Sequence, residues 1–71
     1  MQNNFANNLK YYRKKNNLTQ SQLANLVCID RTTLTGYEMG KRECDFDTLI
    51  KLAQILNISI DELLHNKRAG D

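Results

Sequence analysis

Gln20 to Tyr37 reads QSQLANLVCIDRTTLTGY, and this stretch decides the fold. Thr19, just before it, forms a capping box with Gln22: the Thr19 hydroxyl accepts from the Gln22 backbone N–H while the Gln22 amide reaches back. A helix over about residues 20–27 follows, burying Leu23, Ala24 and Val27. About three residues, Cys28-Ile29-Asp30, join it to the next helix. Asp30 is an N-cap residue type, and a helix over 31–38 turns Leu34 and Tyr37 inward. Ala24 puts a small side chain where the two helix axes come closest. With Leu23, Val27, Ile29, Leu34 and Tyr37 facing in, the outer face of the second of these helices is polar. It carries Arg31, Thr32, Thr35 and the bare backbone of Gly36.

Helical spacing continues on both sides, and no β-like alternation persists anywhere. Phe5, Leu9 and Tyr12, at i, i+4 and i+7, mark a first helix over about 3–15. Asn17 follows it where a left-handed residue is wanted, a conformation that Asn tolerates. Asp45 caps a helix over 46–56 whose apolar stripe is Phe46, Leu49, Ile50, Leu52, Ala53 and Leu56, and Asn57 repeats the asparagine stop. Ser59-Ile60-Asp61-Glu62 is a second capping box, opening a short fifth helix through Leu63 and Leu64. Each helix stops within a few residues of the next start, so the fold class is all-α: a compact five-helix bundle of orthogonally packed short helices. One domain is expected over residues 1–66, with 67–71 a disordered tail that has no apolar anchor.

Seventy-one residues allow one domain with a small core, which disfavours a deep water-excluding catalytic pocket. No long apolar run suggests a signal peptide or a membrane span, and a cytoplasmic location is expected. Cys28 and Cys44 are too far apart for a zinc pattern and read as free thiols. The lone His65 has no partner ligand nearby, so neither metal nor cofactor is expected. The formal net charge of +2 is unevenly placed. Residues 1–42 hold seven basic side chains against two acidic, whereas residues 43–71 hold three against six. Such a division gives one face suited to a polyanion and one turned away from it.

A helix bearing an Arg and short hydroxyls, projected from a rigid turn, suits a DNA major groove about 12 Å wide. Here the chain resembles the phage-repressor and Cro type of helix-turn-helix domain, the Xre-like family. The matching stretches are Leu9 to Arg13, Leu18-Thr19-Gln20, Leu23-Ala24, Tyr37-Glu38 with Gly40-Lys41-Arg42, Thr48 to Ala53, and Ile58 to Leu64. Together they reach over about residues 5–64. The resemblance implies a lambda-repressor-like fold and a sequence-specific transcriptional regulator that binds double-stranded DNA. It implies that Arg31, Thr32, Thr35 and Gly36 face base edges. Gln20 would touch a phosphate and brace the third helix, and Lys41 and Arg42 would grip the backbone. Arg13 and Glu38 would form a structural ion pair. Lys10 and Lys14 are added from their charge as further phosphate contacts.

One recognition helix reads too few base pairs to pick out a genomic site, so a homodimer on a palindromic operator is expected, with recognition helices near 34 Å apart. Ile55, Ile60 and Leu64 offer apolar surface for that contact, with core packing as their alternative role. With no ligand domain in view, control would come from concentration or from an unidentified partner protein. Several positions depart from the family pattern. Cys28 replaces the usual turn glycine, Cys44 stands where proline is common, and Leu26 is apolar where the family is often polar. Gly36 brings no side chain to the groove. Two rival readings follow. A protein-interaction module that has lost DNA binding is favoured by Gly36 and opposed by Gln20, Arg31, Lys41 and Arg42. An enzyme is disfavoured because His65 lies beyond the last helix and Asp30 is needed as a cap.

Overall fold

The computed structural model describes residues 4–65. They form α1 (Phe5–Lys15), α2 (Gln20–Leu26), α3 (Arg31–Glu38), α4 (Phe46–Leu56) and α5 (Ile60–His65), with no strand among the described residues. The helical start expected at residue 3, the domain limit at 66 and the tail over 67–71 lie outside the described residues. Val27, expected inside the second helix, is instead its C-cap. His65 is the last residue of α5 rather than a position beyond it.

Four helix ends share one device. Asn17, Cys28, Gly40 and Asn57 have φ of 60°, 62°, 75° and 60°. After each, the next N–H donates to a carbonyl five residues back: Leu18 to Arg13, Ile29 to Ala24, Lys41 to Gly36 and Ile58 to Ala53, at 2.9–3.1 Å. This is the Schellman arrangement, which satisfies carbonyls that a helix end leaves open. Leu18, Ile29 and Ile58 then pack on the core, so each stop also anchors the chain.

Both capping boxes form. The Gln22 N–H donates to Thr19 Oγ1 at 3.0 Å and the Thr19 N–H to Gln22 Oε1 at 2.8 Å. Ser59 and Glu62 make the same exchange at 2.9 and 3.1 Å. Asp30 and Asp45 have the extended backbone of N-caps, but neither side chain makes a full capping hydrogen bond. Each accepts chiefly from a hydroxyl three residues on, Thr33 and Thr48, with nearby backbone N–H groups adding to it, which holds both carboxyl groups below the usual carboxylate range. A hydroxyl at that position competes with the backbone N–H for the same oxygen, and sequence reading of the caps overlooked it.

Each helix sends one leucine to full burial: Leu9, Leu23, Leu34, Leu52 and Leu63. Around them α1 packs on α3 and α5, α2 on α3, and α4 on α5. Phe5 meets Tyr37 edge-to-face, with ring centroids 6.2 Å apart. Asn8, fully buried beside Leu9, donates from Nδ2 to the carbonyls of Glu62 and Leu63 at 3.2 and 3.0 Å, tying the end of α5 to α1. Phe46 departs from the expected apolar stripe and is 65% exposed. It opens α4, where the Cα–Cβ bond tilts back past the helix start and away from the core below.

Candidate nucleic-acid interface

α3 divides its residues sharply between two faces. Leu34, Tyr37 and Glu38 are buried, whereas Arg31 and Thr32 are exposed. Thr32 and Gly36, four residues apart, share the ridge opposite the buried face.

A polar network fixes the inner edge of α3. Glu38 accepts from Arg13 Nε at 2.6 Å and Nη2 at 3.2 Å, and from Gln20 Nε2 at 3.0 Å. The ion pair is desolvated, with the Arg13 and Glu38 side chains 9% and 2% exposed. Arg13 also donates from Nη1 to the Leu18 carbonyl at 2.8 Å, fixing the turn before α2. Gln20 closes the network by accepting from the Thr35 hydroxyl at 3.1 Å. Both ends of the Gln20 amide are thus engaged within the protein and brace α3. The Thr35 proton is engaged as well, leaving that residue its methyl group and oxygen lone pairs for outside contacts.

Gly36 is half-buried although it lies on the outward ridge. The cover is Arg42: a Cβ at position 36 would lie 2.7 Å from Arg42 Cδ and 2.9 Å from its Cγ. The N–H groups of Lys41 and Arg42 both donate to the Gly36 carbonyl, at 2.9 and 3.2 Å, so the turn is clamped to the helix it follows. Lys41 and Arg42 are exposed, as are Lys10 and Lys14, which lie one turn apart on α1.

Ile55, Ile60 and Leu64 are half-buried and pack against the core. Leu64 lines an open cleft of about 370 Å³ with Phe5, Tyr37, Leu49 and the turn from Gly40 to Cys44, and neither Ile55 nor Ile60 forms part of its wall. Both cysteines are free. Cys28 is exposed, and Cys44 is half-buried with its thiol pushed up to about 11 by burial and by the neighbouring Asp45 charge. Leu26 is 54% exposed on α2. No helix among the described residues is long and apolar enough to cross a membrane.

Five short helices, the capping-box entry to α2 and the braced α3 define a helix-turn-helix domain. The helix-turn-helix family model matches residues 9–63, and the chain belongs to that family. It is 47% identical over 60 residues to YqaE, an HTH-type transcriptional regulator of Bacillus subtilis, covering 84% of this chain and 52% of that protein. The chain thus spans about half the length of that relative. Among solved structures, the restriction-modification controller protein C.AhdI from Aeromonas hydrophila superposes with a TM-score of 0.78 and 36% identity, covering 83% of this chain and 89% of that one. The P22 c2 repressor protein, solved with a synthetic operator, superposes at a TM-score of 0.84 over 89% of this chain and 96% of that one. At 24% identity it shows the repressor-like fold alone.

Proposed function

We propose that this domain is a sequence-specific, DNA-binding transcriptional regulator that sets α3 in the major groove. The observation that carries the reading is the contrast across α3. Its inner edge is held by the Arg13–Glu38–Gln20–Thr35 network, while Arg31 and Thr32 stand exposed on the outside. A helix held rigidly on one side and polar on the other suits base reading, because orientation is settled before contact. Arg31 can fork onto the O6 and N7 of a guanine, and Thr32 and the Thr35 methyl suit thymine and its neighbours. Lys41, with Lys10 and Lys14, supplies salt-dependent attraction to phosphates. Gln20 acts through its bracing of α3.

The domain acts as a homodimer on a two-fold operator, in the cytoplasm, with its level or a partner protein setting its occupancy. Dimerisation follows from the small number of base pairs one helix spans. The half-buried Ile55 and Ile60, on α4 and α5, supply apolar surface for that contact, while the Leu64 cleft is shared with the basic turn.

The protein-interaction reading loses its chief support, since Arg42 accounts for Gly36. Selection of bound duplexes from a random pool tests the function. Enrichment of an inverted repeat with half-sites one duplex turn apart is expected. A pool that stays random through successive rounds would overturn the reading.

A further inference from the structure

We propose that Arg42 reads a base edge from the place left by the missing side chain of Gly36, and so helps determine operator specificity. The inference rests on the DNA-binding reading and deepens it. Gly36 lies on the outward ridge of α3 with Thr32, where a side chain would project toward the groove floor. Its own backbone brings no base-reading group. Arg42 fills that place: its distances to the position of a Cβ on Gly36 fall along the stem, from 3.4 Å at Cβ to 2.9 Å at Cγ and 2.7 Å at Cδ. The stem therefore lies across the ridge at Gly36, with Cγ and Cδ closest. The guanidinium starts one bond beyond the closest atom.

The backbone hydrogen bond from the Arg42 N–H to the Gly36 carbonyl pins the base of this stem. A glycine at 36 is thereby explained without loss of reading capacity. The recognition surface is assembled from α3 and a side chain returned to it by the following turn.

A guanidinium at this place offers a planar, preorganised fork that matches guanine O6 and N7, whereas an ammonium on a flexible stem donates to them with far less fixed geometry. A phosphate, by contrast, is served by either charge. The test compares affinity for the pool-selected duplex with affinity for a scrambled duplex, using the wild type, Arg42→Lys, Arg42→Ala and Gly36→Ala. Arg42→Lys should bind scrambled DNA as the wild type does, yet lose roughly ten-fold or more in the selected-to-scrambled ratio. Gly36→Ala leaves the charge unchanged but displaces the stem, so repeated selection should show it relaxed at the same base pair as Arg42→Lys. That base pair should differ from the one relaxed by Arg31→Ala. An undiminished ratio in Arg42→Lys overturns the proposal. So does an equal loss on both duplexes in Arg42→Ala, which marks a phosphate contact. A wild type that binds both duplexes alike would instead sink the DNA-reading function itself, before any variant is considered.

Discussion

Removing the guanidinium of Arg13 should take away a third or more of the domain's stability. In Arg13→Met the Glu38 carboxylate, 2% exposed, keeps Gln20 Nε2 as its remaining donor from this network, and the Leu18 carbonyl loses its Nη1 bond. Breaking a buried pair from one side costs about 3–5 kcal/mol, because a charge stays buried without its counter-charge. A domain of this length is stable by only about 4–10 kcal/mol in all. Urea melts followed by helical circular dichroism should therefore show the midpoint falling by a third or more. The cost belongs to the abandoned carboxylate. Arg13→Met combined with Glu38→Leu should accordingly recover much of the loss, with a coupling energy of about 2 kcal/mol or more. A loss below about 1 kcal/mol in the single variant, the level of an exposed pair, would refute this reasoning. Strictly additive losses in the double variant would refute it equally.

Cys28→Gly should stabilise the domain by about 1 kcal/mol, because Cys28 holds φ at 62° with an exposed side chain. A thermal melt should rise by roughly 4–8 °C, and no rise would mean the turn is unstrained. At pH 8 an alkylating reagent should modify exposed Cys28 first. Cys44, whose thiol lies near 11, stays protonated there and should react far more slowly, as peptide mass mapping can show. Asp30 and Asp45 have depressed carboxyl groups in the folded state, so the stability they contribute is complete above the unfolded value and lost as pH falls below about 4. Changing both to Asn should flatten the acid limb of the stability curve in that window, and an unchanged limb would dismiss their role. Arg31→Ala should cost more affinity on the selected operator than on scrambled DNA, and equal losses would reassign Arg31 to a phosphate.

Much of the fold was legible because its signals are local. Thr19 with Gln22, Ser59 with Glu62, and the asparagines at 17 and 57 announce helix ends through backbone chemistry that needs no distant partner. The short turn between α2 and α3 was equally plain, whereas the left-handed backbone at Cys28 was suggested only by the glycine that the family usually carries there. Phe46 misled, because helical spacing says which way a side chain faces but not whether the core extends that far along the axis. Asn8 was missed although it completes the buried series Phe5, Asn8, Leu9 and Tyr12. A polar residue in an apolar stripe was the available signal, but its role depends on α5 ending nearby, which lies 54 residues on in sequence.

The candidate site shows the same division. Arg31 and Thr32 were readable from the helical wheel of α3, and the structure leaves both exposed. The engagement of Thr35 with Gln20 and the lie of Arg42 over Gly36 were not readable. Each joins residues that packing alone brings into contact. Gly36 illustrates the cost: in the sequence it brought no side chain to the groove, whereas in space it is the bed of an arginine.

Amide chemical-shift mapping tests the central claim most directly. The pool-selected duplex is titrated into the 15N-labelled chain and the perturbed N–H groups are located. Recognition through α3 predicts the largest changes from Arg31 to Gly36, at Lys41 and Arg42 and around the start of α2, with the inner core quiet. Changes gathered on α5 and the end of α4, with α3 unperturbed at saturation, would contradict it.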